Sequence, residues 1–428
     1  MRSYLLYIPK TIKNNNHFLW LFKTAVLALN LKNISVDNEE KNDCEVVTYD
    51  PQKFNSQLSD ANLLSLIQDK EIIFNNEGVI LYKEQEDELM TAFYLINSLQ
   101  EYGSDYKDNI GRFQYDYSWQ KQFRHIDQNF VVMLFERFFL KHFPKLLENR
   151  VFEKSRFFVS HDIDSLYGAF LQDGLAAVKN GRIDIIAKLV FNAILMKPEW
   201  FNIDKILKIE NEYDLKSTFF WIVNKGRVSK TLVNSDYNID SSKLKNTLNS
   251  VITNKSYIGL HKSISGDSFD EEISKLGHPV TINRNHYLKF DLPTHYQSVE
   301  RSSLKIDCSL GFAEHYGFRN SLAIPFVPFD ISAEKPYHFL EVPLNIMDGT
   351  FQKYMKLTPE ETSKHILEFV EKNKTNSVLS VLWHNHFFNS YRFGSYFEPY
   401  ITLLDYIKEN KFNFITPESL YSEYYITS

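Results

Sequence analysis

The chain has 428 residues, more than one ordinary hydrophobic core accommodates, so its length predicts two domains. A hydrophobic content of 43% argues against disorder, and a net charge of −6 without basic runs argues against nucleic acid as a partner. Only Cys44 and Cys308 are present. Two cysteines exclude a disulfide framework and a cysteine-rich metal site, and they fit a reducing compartment.

The N-terminal sequence predicts neither export nor membrane insertion. The apolar run within Met1–Lys10 stops at Pro9 and is too short for the core of a signal peptide. Leu19–Leu31 is longer, but Lys23 interrupts it, which indicates an amphipathic helix and not a transmembrane segment. We therefore expect a soluble, cytoplasmic protein.

Residues 1–150 are predicted to form a smaller N-terminal α/β domain that supports or covers the rest of the chain. Short strand-like runs alternate there with helical ones. The predicted strands are Ser3–Ile8, Cys44–Tyr49 and Gly78–Tyr82, and the predicted helices are Asp87–Gln100 and Phe130–Phe143. Between these helices lies a loop that contains Gly111, Arg112 and Phe113.

Residues 151–428 show a repeated alternation of strands and helices. The predicted strands are Phe157–Ser160, Ser217–Val223, Tyr257–His261, Val280–Asn283, Lys305–Leu310, Ser321–Pro325, Leu340–Asn345, Ser377–His384 and Phe412–Ile415. Helical periodicity follows in Asp204–Tyr213, Pro359–Asn373 and Phe397–Asn410. Such a rhythm is typical of an α/β protein with either a (β/α) barrel or a doubly wound sheet.

The positions of the histidines favour the barrel. Ten of the thirteen histidines lie at or after position 161, and several come just past a predicted strand. The carboxyl ends of barrel strands meet on one face, where catalytic groups collect. We therefore predict a distorted (β/α) barrel for this region.

The central stretch is the strand that begins at Phe157 and ends in a histidine and two carboxylates. His161, Asp162 and Asp164 follow its apolar core. One carboxylate of such a pair can bind a cation while the other accepts a proton from water. The alternative is structural: Asp164 or Ser165 caps the next helix, and His161 is a hydrogen-bonded core residue.

Three later strands end in further reactive groups. His261 ends one strand as a candidate zinc ligand, and Arg284 and His286 follow the next. Arg284 can hold a catalytic aspartate in its ionised form, and His286 can complete a coordination sphere. His384 ends a long apolar strand and is suited to donate a proton to a leaving group. Asp and His without Cys are the ligands of a catalytic zinc or a similar divalent ion.

Taken in order, these motifs resemble the polysaccharide deacetylases, carbohydrate esterases of the NodB-homology fold. The similarity is to a divergent bacterial branch with an extra N-terminal domain. It rests on His161-Asp-Ile-Asp164, Ser217-Thr-Phe-Phe220, Ile258-Gly-Leu-His261-Lys-Ser263, Arg284-Asn-His286, Asp307-Cys-Ser-Leu-Gly311, Gly317-Phe-Arg319 and Leu382-Trp-His384-Asn.

The resemblance implies a role for each site residue. It implies that Asp162 is the general base and that Asp164 and His261 bind the metal. It further implies that Arg284 orients the base, that His384 is the general acid and that Asp307 helps to arrange this acid.

One position departs from the family pattern. The family has a second histidine four residues after the first, where this chain has Ser265. We nominate His286 as the replacement ligand, with His161 as the next candidate.

The predicted activity is a metal-dependent hydrolysis that removes N-acetyl groups from a sugar or polysaccharide precursor, with zinc as the expected ion. Trp383, Phe387, Phe388 and Tyr391 are candidates for stacking on sugar rings or for the core. Two alternatives remain open. The chain can be a metal-free pseudoenzyme that binds glycans, which Ser265 favours, or a metal hydrolase for O-acetyl esters or small amides.

Overall fold

The computed structural model describes residues 3–40, 43–50, 56–59, 63, 72–195, 198–388, 391–393 and 395–425. Its first region contains a small parallel sheet of β1 (Tyr4–Tyr7), β2 (Ile34–Asp37) and β3 (Glu45–Thr48) in the order β2-β1-β3. The helix Asn15–Ala28 connects β1 to β2, as a parallel pair requires. A short antiparallel hairpin follows, made of β4 (Leu81–Tyr82) and β5 (Gln85–Glu86).

The helices of the first region largely follow the predicted pattern. They are Asn15–Ala28, Glu88–Ile96, Trp119–Gln122, Phe130–His142 and Pro144–Leu147, with single 3₁₀ turns at Gln57–Ser59, Leu99–Glu101 and Tyr115–Tyr117. Asp87 caps its helix by accepting a hydrogen bond from the Met90 amide. That helix ends at Ile96, earlier than predicted, and Ser98 just beyond it is left-handed, with φ 51°.

The second region is built on one curved parallel sheet. Its strands are β6 (Arg156–Ile163), β7 (Thr218–Trp221), β8 (Tyr257–Lys262), β9 (Ile282–Asn285) and β10 (Ile306–Asp307), and later β13 (Leu340–Glu341), β14 (Ile346–Met347), β15 (Val378–Leu382) and β16 (Asn413–Phe414). The hairpin of β11 (Phe329–Asp330) and β12 (Lys335–Pro336) lies outside this sheet. The order is β13-β10-β9-β8-β7-β6-β15-β14, and β16 pairs with the beginning of β6.

One segment of chain joins the two edges of this sheet. Leu340 in β13 pairs with Ile306 in β10, whereas Ile346 in β14 pairs with Val381 in β15. Only the four residues 342–345 separate β13 from β14, so the same segment leaves one edge and reaches the other. The sheet is therefore a distorted (β/α) barrel, which confirms the predicted fold class.

Helices and helical turns surround the barrel. They are Ala169–Asp173, Gly174–Lys179, Ile183–Ile194, Ile203–Asn211, Ser242–Thr253, Phe269–Leu276, Thr294–Glu300, Pro359–Lys372, Glu398–Glu409 and Pro417–Tyr424, with shorter turns at His286–Leu288, Thr350–Met355 and Asn385–Phe388. Capping boxes begin two of them, at Ser268 and at Thr358. None of the described helices has the length and apolar content needed to cross a membrane.

Several strand predictions need correction. The strand predicted at Leu340–Asn345 is only β13 (Leu340–Glu341), because the chain crosses over residues 342–345 from β10 to β15, where β14 (Ile346–Met347) begins as a strand that was not predicted. Ser321–Pro325 is not a strand, because Ser321 has φ 57°, a left-handed conformation that extended backbone excludes. The strand predicted at Lys305–Leu310 is only Ile306–Asp307, because the amide of Asn285 donates to the side chain of Ser309 and not to a backbone carbonyl.

Alternation along the strands separates two faces of the sheet. Phe158, Phe220, Ile282, Ile306, Leu340 and Val378 pack together in one cluster inside the barrel. Neighbours of opposite parity, such as Phe157 and Phe219, belong to the large core between the sheet and its helices, which is continuous with the core of the first region. Whether a side chain on one of these strands faces the barrel interior or the outer layer therefore follows from its position in the alternation.

Candidate metal centre and active site

The two-residue period carries the candidate residues to one end of the barrel. Side chains an even number of residues apart on a strand face the same side of the sheet. Asp162 is therefore on the same side as the interior residue Phe158, Arg284 on the same side as Ile282, and His384 on the same side as Val378. His261 is in the same way on the side of Gly259, which pairs with Phe220. These side chains share the interior face and the carboxyl end of the strands, so they converge.

Asp162 is fixed by a buried arginine. Arg284 Nη1 donates to Asp162 Oδ1 at 2.9 Å and to Ser160 Oγ at 2.8 Å. The guanidinium lies 4.6 Å from the centre of the Phe220 ring. A Cβ at Gly259 would stand 2.5 Å from that ring, so glycine is required for this packing. The carboxylate is thus held in one orientation by a buried ion pair.

Asp164, His261 and His286 form a compact group of possible metal ligands. Their ligand atoms all lie within 4.8 Å of one another. His261 Nε2 is 3.1 Å and His286 Nδ1 is 3.4 Å from Asp164 Oδ1, and the two nitrogens are 3.2 Å apart. The structure thus brings together the three residues nominated from the sequence.

The hydrogen bonds of the two imidazoles fit a metal site. His261 Nδ1 donates to the Arg284 carbonyl at 2.8 Å, and His286 Nε2 donates to the Val233 carbonyl at 2.9 Å. Each neutral ring then carries its lone pair on the nitrogen that faces the other ring and Asp164. Asp164 Oδ1 is itself buried and makes no hydrogen bond among the described residues. A divalent cation could bridge these three converging atoms, and the donor set of one carboxylate and two imidazoles suits zinc or a similar ion.

Charge and burial set the protonation of this group. Burial is the largest influence on His286 and lowers its pKa to about 4, so the ring is neutral near pH 7. Burial alone would raise the pKa of Asp164, but the three surrounding imidazoles, led by His286, hold that pKa well below its usual range. For His261 burial favours the neutral form, yet Asp162 and Asp164 outweigh it and raise the pKa. Metal binding at His261 therefore competes with a proton.

His384 lies across the cavity with a carboxylate of its own. Its Nδ1 is 2.7 Å from Asp348 Oδ1, and its backbone amide donates to the same carboxylate. Its Nε2 lies 3.7 Å from Asp164 Oδ2. Burial would lower the pKa of His384, but the adjacent Asp348 outweighs it and raises the pKa to about 10. The imidazole is therefore protonated at neutral pH, as a general acid requires.

The structure does not bring Asp307 to His384. Ile306 and Cys308 face the barrel interior, so Asp307 between them faces the outer layer, where it lies 2.8 Å from His295 Nε2. The carboxylate that contacts His384 is Asp348 and not Asp307. Asp348 directly follows β14, a strand that the sequence analysis did not predict, so the rule that selected the other candidates, a polar residue after a predicted strand, did not reach it.

His161 is excluded as the replacement ligand. Its parity places it in the outer layer, where Nδ1 lies 2.6 Å from the Trp383 carbonyl and Nε2 lies 2.8 Å from Glu210 Oε1. The structural alternative thus holds for His161. In the neighbouring turn, Ser165 has the predicted capping role, because its hydroxyl accepts a hydrogen bond from the Gly168 amide. Among the described residues, Asp164 does not cap a helix in this way and instead lines the cavity.

The candidate residues line a cavity of about 500 Å³. Of the aromatic candidates named from the sequence, Phe387 lines it, whereas Trp383 is fully buried in the core. Sequence reasoning did not assign further residues of the wall to the site, among them Arg112, Trp200, Tyr287, Tyr354 and His386. They carry no local strand-end signal because they come from loops, irregular turns and the N-terminal region.

Arg112 connects the first region to the metal ligands. It donates to the carbonyl of Tyr287 at 3.0 Å and to the hydroxyl of Tyr354 at 3.1 Å. Tyr287 and Leu288 are both left-handed, with φ 62° and 52°, a strained backbone for residues other than glycine. The arginine therefore braces the turn that begins at His286.

Comparison with known proteins gives structural matches only. No family model and no curated protein sequence matches the chain. A putative polysaccharide deacetylase from Mycobacterium smegmatis is 12% identical and covers 63% of this chain and 90% of its own, with a TM-score of 0.38. A polysaccharide deacetylase from Bacillus cereus is 13% identical over 62% and 94%, with a TM-score of 0.31.

A CE4 family pseudoenzyme from Bacillus anthracis also matches, at 11% identity over 63% of this chain and 66% of its own, with a TM-score of 0.30. Because similarity at this level carries no argument about activity, the function must be argued from the residues of this chain. The predicted resemblance to polysaccharide deacetylases is confirmed as a match to solved structures of that family over 63% of the chain.

Proposed function

We propose that the protein is a metal-dependent deacetylase that hydrolyses the N-acetyl groups of a sugar or polysaccharide precursor. The observation that carries this proposal is the pair of imidazoles, His261 and His286, whose outer nitrogens are engaged by carbonyls while their inner nitrogens face Asp164. A divalent cation bound there, with zinc as the expected ion, would polarise the acyl carbonyl and lower the pKa of a water molecule.

The remaining residues supply the proton transfers. Asp162, oriented by Arg284, accepts the proton of the attacking water. An amine leaves only after protonation, and His384 provides that proton from the opposite side of the cavity. Asp348 keeps the imidazole charged and fixes its orientation.

The pseudoenzyme alternative loses the feature that favoured it. Ser265 lies outside the ligand group: its hydroxyl donates to Glu272 at 2.8 Å. If His286 supplies the third ligand atom, as we propose, a serine at position 265 is compatible with metal binding. A charged acid opposite the metal group also favours an amide substrate, because an amine needs protonation more than an alcohol does.

We also propose that residues 1–150 support the barrel of residues 151–428. Besides the Arg112 contacts, Glu101 forms a fully buried ion pair with Arg319, at 2.6 Å from Nη2. The guanidinium of Arg319 is stacked near Phe290 and Phe312. Such contacts fix the first region against the wall of the active site.

Acetate release from matched N-acetylated and O-acetylated sugar oligomers tests the activity. We expect zinc-loaded protein to release acetate preferentially from the N-acetylated series, and Asp162→Asn to abolish most of this release. Preference for the O-acetylated series would reassign the substrate, and no release from either series by protein with a full metal complement would refute the proposal.

A further inference from the structure

Half of the large hydrophobic side chains that are exposed in the described chain lie between residues 167 and 195. This segment is a hairpin of two helices, Gly174–Lys179 and Ile183–Ile194, preceded by the turn Ala169–Asp173. We name its exposed apolar side chains the hairpin face: Tyr167, Phe170, Leu175, Val178, Ile183, Val190, Phe191, Ile194 and Leu195. A concentration of this kind marks an interaction surface.

The hairpin face points away from the side on which the helix packs. Ile183, Val190 and Ile194 are separated by seven and four residues, so they lie on one side of the helix. Ile183 is 78% and Ile194 is 73% exposed, whereas Leu189 is buried in a cluster with Trp200. A helix that only covered the barrel would carry polar residues on this outer side.

The surroundings of the hairpin face are cationic, although the whole chain carries a net charge of −6. The basic side chains in or touching the segment are Lys179, Arg182, Lys188, Lys243, which lies over the Tyr167 ring, and Arg392, which donates to Gln172. The acidic ones are Asp184, Glu199 and Asp236, besides the buried Asp173. Five cations thus lie beside three carboxylates that are not fully buried, with Arg182 paired to Asp184 and Lys188 to Glu199, so the surface keeps a net positive charge.

We propose that the hairpin face docks on an anionic membrane surface. An apolar helical face with basic residues beside it is the pattern of a helix that lies in the lipid headgroup region. A second copy of the chain would bring the same cationic surroundings together, which charge repulsion disfavours.

The segment with the hairpin face lies beside the catalytic cavity. Gln172 and Trp200 also line the catalytic cavity, so a docked protein would hold its cavity beside the membrane. Resting on the proposed function, this geometry favours an N-acetylated glycan carried on a lipid as the substrate.

Vesicle sedimentation with the full chain tests the docking without any assay of acetate release. We expect binding to phosphatidylcholine vesicles that contain phosphatidylglycerol, weaker binding to phosphatidylcholine alone, and weakening by salt. Phe191→Asp should lower the partition coefficient by about tenfold or more. Leu140→Asp is the matched control, since Leu140 is 59% and Phe191 60% exposed and Leu140 lies on another helix, Phe130–His142.

Three results would overturn the proposal. The first is the absence of binding to anionic vesicles, and the second is an equal loss in the Phe191 and Leu140 variants. The third is a dimer, measured by analytical ultracentrifugation, that Phe191→Asp dissociates while vesicle binding is absent. Unchanged metal content in both variants shows that the barrel is folded, so failed docking is distinguishable from a failed active site.

Discussion

Two of the histidine–aspartate pairs in the described part of the barrel lie on opposite faces of its sheet. His384 and Asp348 are 2.7 Å apart and border the cavity, whereas His295 and Asp307 are 2.8 Å apart in the outer layer. The geometry of the two pairs is nearly the same. Only His384 presents its second nitrogen to the candidate metal ligands, at 3.7 Å from Asp164.

The outer pair belongs to a closed network. Burial raises the pKa of Glu341 well above its usual range, and the adjacent Asp307 raises it further, which favours the protonated form of Glu341. Asn283 donates to Asp307 Oδ1 at 2.6 Å, whereas His295 contacts Oδ2. The comparison teaches that a short contact between histidine and aspartate does not define a catalytic dyad; access to the reacting atoms does.

The largest expected effect is at the base. Asp162→Asn should lower turnover by about a hundredfold or more, because the amide cannot accept the proton of water. Metal content should stay near that of the parent, since Asp162 is not one of the grouped ligands. Steady-state kinetics on zinc-loaded protein measure this, and turnover equal to the parent would remove Asp162 from its role.

The next prediction separates the two pairs directly. Activity needs protonated His384, so it should fall as the pH rises through the pKa of this residue, which Asp348 raises to about 10. Asp348→Asn removes that charge and should move the alkaline limb of the kcat/KM profile to lower pH, by one unit or more.

Asp307→Asn is the matched control for this comparison. It should leave the alkaline limb in place and instead lower the free energy of unfolding by about 1–3 kcal/mol, because it breaks a buried network. Denaturant unfolding measures the second effect. A shift of the limb in the Asp307 variant, or none in the Asp348 variant, would reverse the assignment.

The sequence was sufficient to predict the strands that matter and the residues at their ends. Apolar runs with a period of two carry Asp162, Arg284 and His384 to the same end, and this depends only on local pattern. The sequence analysis named Asp307 and did not consider Asp348, and rejecting Asp307 depends on which face of the sheet this residue occupies. That rejection required the register of β10 against β9, which pairs Ile306 with Ile282.

The sequence did not predict that residues from irregular turns and distant loops belong to the site. Tyr287 is placed by a left-handed turn without glycine, and Arg112 arrives from a loop about 175 residues earlier in the sequence. Neither position has a periodic pattern from which its partner can be inferred.

A smaller effect is expected at Arg112. Arg112→Ala should weaken metal binding by about tenfold, because the turn that carries His286 loses its brace. Isothermal titration with zinc measures the affinity apart from catalysis. Arg137→Ala is the control, since Arg137 pairs with Glu77 and Glu86 inside the first region. Equal affinities for the two variants would show that Arg112 does not act on the metal ligands.

The most direct test of the account is metal stoichiometry by elemental analysis after chelation and reloading with zinc, in the parent and in two single variants. We predict about one ion per chain in the parent and in Ser265→Ala, and loss of the ion in His286→Ala. An ion retained without His286 but lost without Ser265, or a parent that binds none, would contradict the proposed metal centre.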